Sequence, residues 1–598
     1  MDMQNFESYR QIGVPELVFK YLHREGVSHV FGLPGGYIYP FLKLLRGQSA
    51  EGIQLIISRH EEGAAFMADG YARVTGKLGV VFTTAGPGAT NALTGVACAH
   101  KDHSPLLLIS GCASTASLGL GAWQESSNAG VNTTEVFRHA TAFSEFVSNV
   151  ENFHIQFGKA LKIVHSTPNR AAHLCVPLDV SNGVIQKADI SASPLHSGGN
   201  LFQLRADSKI AGEAFQMLLD ALNPVIYLGN GARQALQDPH FISNFLEFLG
   251  RHSIPVMTSP KAKGIFPGSH PLSLGVFGLS GNRTSEEFLA QIKPDALMVI
   301  GSSLNEWSSG RWSELLHCHK MIHVDINNEV PGLVYRTDLE IQAEAKSFLQ
   351  QLIELSQATD LSADTVVRIE KRGSDLAALK NTTPKFNNIH DMAADSSPIK
   401  PQRLMAELDK FAHGKAINFF IDMGNCTGFF NHYTQIDPPN RVFAPYGFSS
   451  MGWANAAVIG GKVGDPERIN IAISGDGAFL MNGVEVQSAA RHRIGAVYLI
   501  LFDNHYGTVH HGEMSVMNDL SKMDDNYYCL GEPDLTMFAK SLGAEAYYIE
   551  KPEEIIPSLE KACERADSEK KPQVIVFKID HKEKAPFGGR YNLVKPSK

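Results

Sequence analysis

Ile471-Ala472-Ile473-Ser474-Gly475-Asp476-Gly477, answered by Val497-Tyr498-Leu499-Ile500-Leu501-Phe502-Asp503-Asn504-His505-Tyr506-Gly507, is the pair of stretches that decides the fold. Each is an apolar run of strand length that ends in acidic or amide side chains and glycine. Asp503 follows Asp476 by 27 residues and Asn504 by 28, room for one helix and one returning strand, as a parallel βαβ unit requires. Strand ends in a parallel sheet face one crevice, so oxygen donors at two of them converge. Hard oxygen donors beside a helix N-terminus suit Mg²⁺ and a phosphate group, and the glycines let backbone N–H groups approach without a Cβ in the way. Gly-Asp-Gly alone is more often a turn, but with this spacing and an Asp-Asn at the next strand end it points to a metal-bound diphosphate.

The same rhythm runs through most of the 598 residues. Val80-Val81-Phe82, Leu106–Ile109, Val225–Leu228 and Ala296–Ile300 read as short buried strands, mostly followed by Gly or Ser and alternating with helical patterns. This predicts an α/β protein of repeated parallel units, too long for one core. Two stretches break the rhythm and read as linkers: Ile190–Asn200, rich in Ser, Gly and Pro, and Lys380–Pro401, rich in Asn, Thr, Asp, Ser and Pro. They divide the chain into three domains, 1–189, 201–379 and 398–585. The basic, Gly- and Pro-containing tail after Asp580 reads as solvated.

Composition narrows the function. A net charge of −9 offers no basic field for nucleic acid. Seven scattered cysteines without a CxxC pair suggest neither a zinc knuckle nor a disulfide framework. The polar start, Met1–Gln11, is unlike a secretory signal, and no apolar run approaches bilayer length. A cytoplasmic protein without membrane or nucleic-acid partners is expected. No GxxxxGK[ST] loop is present.

Two further strand-to-helix junctions carry candidate chemistry. In Ser58-Arg59-His60-Glu61-Glu62-Gly63-Ala64-Ala65, Glu61 falls where the strand Leu55-Ile56-Ile57 gives way to a helix of small residues. The helix dipole favours a carboxylate there. It could serve as a cap alone, although the small residues behind it would let the helix approach a neighbour closely. Thr84-Ala85-Gly86-Pro87-Gly88-Ala89-Thr90-Asn91 is a second tight strand-helix turn.

Together these segments resemble thiamine-diphosphate-dependent enzymes of the acetolactate (acetohydroxyacid) synthase-like group, over nearly the whole chain and in the same three-domain order: pyrimidine-binding, central, diphosphate-binding. The resemblance is carried by Phe31–Gly36, His60–Ala65, Gly86–Asn91, Ala122-Trp123-Gln124-Glu125, Phe266–Gly275, Ser450-Met451-Gly452 and the Gly475-Asp476-Gly477 motif. It implies thiamine diphosphate and Mg²⁺ as cofactors. Glu61 would bond N1′ of the aminopyrimidine and favour the tautomer that removes the thiazolium C2 proton, a task for a carboxyl group in a water-poor pocket. Pro34, Gly35, Gly36, Pro87 and Asn91 would complete the pyrimidine side. Gly424, Asn425, Cys426, Ser449, Gly475, Gly477, Ala478, Tyr506 and Gly507 would surround the rest of the cofactor, with Met451 wedged between its two rings. Asp476 would bind the metal. The second ligand is Asp503 with the His505 carbonyl, which the spacing favours, or Asn504 with the Tyr506 carbonyl after a one-residue shift. A homodimer or homotetramer is implied, with sites shared between subunits.

The implied reaction decarboxylates a 2-oxo acid, with pyruvate the expected donor, and passes the acyl carbanion equivalent to a carbonyl acceptor that Gln124 helps to place. A decarboxylase or C–C lyase of the same family, or a non-catalytic paralogue, are the alternatives; retention of Glu61 and Asp476 argues against the last. Several positions depart from the family pattern. Tyr37 and Trp123 replace smaller or different residues, Leu279-Ser280-Gly281 replaces a Met-His-Gly loop, and Thr508–Gly512 lacks an expected Trp. Cys426 stands where relatives often carry His. Ser303-Leu304-Asn305-Glu306-Trp307 departs from the Arg-Phe-Asp-Asp-Arg-like segment of FAD-containing synthases, so FAD is not expected. His505, His510 and His511 read either as a proton relay or as a solvated loop.

Overall fold

The computed structural model describes residues 7–9, 11–47, 50–190, 204–517 and 523–588. Three six-stranded sheets, parallel throughout, follow one another along the chain. The first holds β1 (His29–Gly32), β2 (Gln54–Ile57), β3 (Gly79–Thr83), β4 (Leu106–Cys112), β5 (Phe143–Phe146) and β6 (Ala171–Pro177), in the order β2-β1-β3-β4-β6-β5. The second holds β7 (Pro224–Leu228), β8 (Val256–Thr258), β9 (Ser273–Val276), β10 (Ala296–Ile300), β11 (Lys320–Asp325) and β12 (Leu339–Gln342), in the order β9-β8-β7-β10-β11-β12. The third holds β13 (Ile417–Ile421), β14 (Arg441–Phe443), β15 (Ile469–Gly475), β16 (Val497–Phe502), β17 (Glu545–Ile549) and β18 (Gln573–Lys578), in the order β14-β13-β15-β16-β18-β17. In each sheet the order switches direction, between β1 and β3, β7 and β10, and β13 and β15, and in the first and third sheets the last two strands are also exchanged. The switch of direction opens a crevice at the strand C-termini. The fold is therefore α/β with three parallel-sheet units, as the strand rhythm predicts.

The central strands are buried end to end, which is why they read as unbroken apolar runs. Helices cover both faces. Five of them position the site: α1 (Glu61–Thr75), α2 (Asn425–Tyr433), α3 (Trp453–Gly464), α4 (Asp476–Asn482) and α5 (Gly507–Val516).

The first and third units are joined by α1 against α3. A Cβ at Gly70 would lie 2.1 Å from the Ala457 carbonyl oxygen, and one at Gly460 would lie 1.8 Å from that of Met67. The two backbones touch because both helices present Ala and Gly at the crossing. Beside it, Arg73 donates to Asp69, to Asp102 and to the Ala444 carbonyl, while Trp453 Nε1 donates to Asp69. Asp102 also accepts from Lys261 of the second unit and from the Gly447 amide of the third. Burial alone would raise the Asp102 carboxyl, but Lys261 and Arg73 outweigh it and hold it down at about 2. Removing one partner from so buried a network costs about 3–5 kcal/mol.

The linker expectations divide. Residues 191–200 lie outside the described residues. Lys380–Pro401 is not a loose connection: helix continues to Thr382, Phe386 packs with His432 and Tyr433, and the Ile399 amide bonds the Lys578 carbonyl. The tail is anchored by Ala585 and Phe587, buried against α2, while His581, Lys582, Lys584 and Gly588 are exposed and residues 589–598 lie outside the described residues. Among the described residues no helix is long and apolar enough to cross a membrane.

Candidate active site

The crevice between β13 and β15 holds a cavity of about 240 Å³. From the end of β13 come Met423, Gly424, Asn425 and Cys426, and from β15 into α4 come Gly475, Asp476, Gly477 and Ala478. The turn after β16 adds Asp503, His505, Tyr506 and Gly507, and a separate loop adds Ser449 and Met451. The third-domain residues expected to hold the cofactor or metal, except Asn504, line this one space, whereas His510 and His511 do not.

Glycine is required where backbones or rings close on the cavity. A Cβ at Gly477 would meet the Tyr506 ring at 2.8 Å, with the Met451 methyl at 3.8 Å. A Cβ at Gly507 would meet Asn425 Nδ2 at 2.5 Å and Asp503 Oδ2 at 2.9 Å. Glycine thus keeps side chains clear of the start of α4, which opens into the crevice, a place for phosphate oxygens.

Asp476 is almost fully buried. Its Oδ1 accepts from the Gly477 amide (2.8 Å), and its Oδ2 accepts from the amides of Asp503 (3.1 Å) and Asn504 (2.6 Å). Burial, reinforced by the charge of Asp503, pushes its carboxyl up to about 7. Burial pushes Asp503 up to about 6. Two buried carboxylates that resist sharing two negative charges are a donor set that a divalent cation satisfies. Among the described residues no cluster of three His, Cys, Asp or Glu side chains could hold a metal by itself. The remaining ligands would have to be backbone carbonyls and phosphate oxygens.

Asn504 faces away. Its backbone has φ +65°, its Oδ1 accepts from the Glu532 amide (2.9 Å), and its Nδ2 donates to Cys529 Sγ (3.3 Å). Its side chain ties down the segment 529–532. Cys426 lines the cavity, but its thiol donates to the Asp422 carbonyl (3.3 Å), which leaves its backbone to face the crevice.

Asp422 was not singled out in the sequence, although it follows a strand directly. Its Oδ1 accepts from the amides of Met423 (2.9 Å) and Gly452 (2.8 Å), and its Oδ2 accepts from that of Ala454 (2.8 Å). It therefore joins the turn before Asn425 to the loop that carries Met451. Trp307 of the second unit and Phe587 of the tail, also unforeseen, supply an apolar wall. The histidines pack around the rim: His505 stacks on His581 at 5.3 Å, and His511 contacts the His581 carbonyl (2.8 Å). They are largely covered rather than a solvated loop.

A second cluster forms at the crevice of the first sheet, between β1 and β3. Glu61 begins α1, 8 % exposed, and its Oε2 accepts from Asn91 Nδ2 (3.0 Å). A Cβ at Gly88 would lie 3.3 Å from Glu61 Oε1, and one at Gly35 would lie 2.3 Å from the Thr84 Cβ. Gln124 is held against Gly86 with φ +56°, strain of on the order of 1 kcal/mol for a non-glycine residue. Tyr37 Oη donates to the Trp123 carbonyl (2.5 Å), and the Trp123 ring is 82 % exposed. Glu61, Gln124, Pro34, Gly35, Gly36, Pro87 and Asn91 are thus brought to one sheet edge. None of them lines the third-domain cavity of its own chain.

Two half-sites, one that fits a diphosphate and one that presents a carboxyl at a crevice, define a cofactor-dependent α/β enzyme. Family models identify the cofactor. Residues 13–131 match the thiamine pyrophosphate enzyme N-terminal TPP-binding domain, 211–352 the central domain and 422–577 the C-terminal TPP-binding domain. A probable acetolactate synthase large subunit of Methanocaldococcus jannaschii is 30 % identical over 97 % of this chain and 95 % of its own length. The acetolactate synthase isozyme 3 large subunit of Escherichia coli is 28 % identical over 92 % of each. A sulfoacetaldehyde acetyltransferase of Alcaligenes xylosoxydans xylosoxydans is 27 % identical over 94 % of this chain and 92 % of its own. The chain belongs to the thiamine pyrophosphate enzymes. It is a thiamine-diphosphate-dependent enzyme of the acetolactate synthase type.

Proposed function

We propose that this enzyme is a Mg²⁺-dependent carboligase that decarboxylates a 2-oxo acid, pyruvate, and transfers the acyl carbanion equivalent to a carbonyl acceptor. The observation that carries the reading is the Asp476–Asp503 pair in one cavity with the glycine-lined start of α4, together with a covered Glu61 held by Asn91. Asp476 and Asp503 hold the metal through side-chain oxygens, His505 adds its carbonyl, and the amides around Gly477 and Ala478 receive the diphosphate. Met451 lines the same cavity beside Gly477, where its side chain would pack against the bound cofactor. Thiamine diphosphate, once bound, supplies a thiazolium that accepts the electron pair left when carbon dioxide departs. Glu61 holds the proton at N1′ of the pyrimidine, and Asn91 keeps its carboxyl aimed. Gln124, on its strained backbone, contacts the acceptor.

Because Glu61 and its neighbours lie outside their own chain's cavity, we place each site between two copies of the chain, in a homodimer or a pair of dimers. Leu120, Trp123, Phe448, Met481 and Val509 are large apolar residues left exposed around the two half-sites, as expected of a face that a second copy covers. We propose further that FAD is not required. The segment Ser303-Leu304-Asn305-Glu306-Trp307, which departs from the Arg-Phe-Asp-Asp-Arg-like stretch of FAD-containing synthases, supports this.

The deciding experiment supplies purified protein with Mg²⁺, thiamine diphosphate and pyruvate, follows pyruvate loss and identifies products by mass spectrometry, with Glu61→Ala alongside. A 2-hydroxy-2-methyl-3-oxo acid or a hydroxyketone that vanishes in the variant is expected. Free acetaldehyde alone would make the enzyme a decarboxylase, and no pyruvate loss would remove pyruvate as donor.

A further inference from the structure

The turn that carries Glu61 is held from outside its own sheet. Five hydrogen bonds join it to residues 482–492, the run of chain that ends and continues α4, the Arg59 amide being shared between both oxygens of Glu485. Asn482 Nδ2 donates to Glu62 Oε2 (3.1 Å), and His492 Nε2 accepts from the Ile57 amide (2.8 Å). Between them, Glu485 Oε1 accepts from the His60 amide (3.0 Å) and Glu485 Oε2 accepts from the Arg59 amide (3.0 Å).

Glu485 is fully buried, and Ser488 Oγ donates to its Oε2 (2.6 Å). Burial raises its carboxyl, while these hydroxyl and amide donors pull the other way. A buried carboxylate is costly to keep unless its oxygens are occupied, and here they are occupied mainly by backbone of another unit. This is not an ordinary helix cap. The local cap is already present, since His60 Nδ1 accepts from the Glu62 amide (3.3 Å). Glu485 instead takes the two amides that precede the helix and so fixes the backbone from which the Glu61 side chain departs. Gly63, one turn face along, has no side chain for a matching reason: a Cβ there would lie 2.1 Å from Glu485 Oε1.

We propose that Glu485 is a positioning residue for Glu61: its carboxylate locks the Arg59–His60 backbone so that the Glu61 carboxyl stays against Asn91 and aligned with the cofactor's pyrimidine. This rests on the reading of Glu61 given above. Glu485 itself touches neither cofactor nor substrate, so its loss should slow the proton step without weakening cofactor binding. Two variants perturb the contact from opposite sides. Glu485→Gln keeps the size but turns an N–H₂ group toward a backbone amide. Gly63→Ala keeps the Glu485 carboxylate chemically intact but displaces it, since the new Cβ would lie 2.1 Å from its Oε1.

The test measures two quantities on the full-length protein. One is deuterium exchange of the C2 hydrogen of bound thiamine diphosphate at saturating Mg²⁺, read by acid quench and proton NMR. The other is backbone amide exchange of the segment 57–64 in cofactor-free protein, read by mass spectrometry. Expected are C2 exchange slowed by on the order of 10- to 100-fold in both variants, faster amide exchange at 57–64, an unchanged cofactor Kd, and exchange stopped in Glu61→Ala. Normal C2 exchange in Glu485→Gln and Gly63→Ala, with Glu61→Ala silent, would overturn the role of Glu485 and leave that of Glu61 standing. Normal exchange in Glu61→Ala would remove both. A loss of exchange that only tracks loss of folded protein or of cofactor affinity would make Glu485 a structural residue and overturn the proposal as well.

Discussion

Asp503 and Asn504 are neighbours with different jobs. The sequence leaves both open as the second metal ligand, because register along a strand end does not say which way a side chain turns. The positive φ of Asn504 supports the proposal of Asp503: the chain reverses there, sends the amide side chain to residues 529–532 and leaves Asp503 in the cavity. Asp503→Ala is expected to raise the Mg²⁺ concentration for half-maximal turnover by at least about tenfold. Asn504→Gly, which keeps the left-handed backbone, should leave that concentration unchanged and cost about 1–2 kcal/mol of stability from the lost side-chain bonds. A Mg²⁺ titration beside a denaturant melt separates the two, and equal metal requirements would return the ligand question to Asn504. Asp422 and Glu485 belong to the other kind of residue. Each acts by accepting backbone amides from segments distant in sequence, a pairing that no local pattern announces.

Strand ends and the helix starts after them were the legible part at the level of elements. Gly475-Asp476-Gly477, Gly86-Pro87-Gly88 and the Glu61 turn all fall where an apolar run stops, and the structure puts each at a crevice. The stripe of small residues behind Glu61 was also visible, but not its partner, because close approach is a property of two helices and the second lies in another unit. Gly460→Ala drives a methyl into the Met67 carbonyl of α1. It should cost about 1–3 kcal/mol or more, and because α1 begins at Glu61, it should slow turnover as well; a melting curve and kcat measured on the same sample test both parts. The tail, read as solvated, divides over its described residues: His581, Lys582, Lys584 and Gly588 are exposed while Ala585 and Phe587 are buried, and residues 589–598 lie outside the described residues. His, Lys, Glu and Gly dominate residues 581–589, and two apolar side chains among them, Ala585 and Phe587, find a bare surface at Gly428, where a Cβ would sit 2.8 Å from the Ala585 Cβ.

Across the whole molecule, buried histidines shape the response to pH, and one of them sits at a contact between units. His432 uses both ring nitrogens in its neutral form: Nδ1 donates to the Gly281 carbonyl of the second unit (2.6 Å), and Nε2 accepts from the Asn387 amide (2.8 Å). Burial lowers its pKa from 6.5 to about 4. Between those values the unfolded chain holds the proton and the folded chain does not, so this contribution is complete above 6.5 and is lost as pH falls toward 4. Melting temperature should therefore drop from pH 7 to pH 5, and His432→Gln should flatten the drop while lowering stability at pH 7; an unchanged slope would clear His432 of the effect. The separation of the two half-sites has a different reach. Refolded together in equal amounts, inactive Glu61→Ala and Asp476→Asn chains should regain roughly a quarter of full activity, since half the dimers are mixed and each mixed dimer rebuilds one intact site of two. No recovery would confine the site to one chain. In a cell, the same arithmetic becomes inheritance: two null alleles of one gene, altered in different units, would rescue each other, while two altered in the same unit would not.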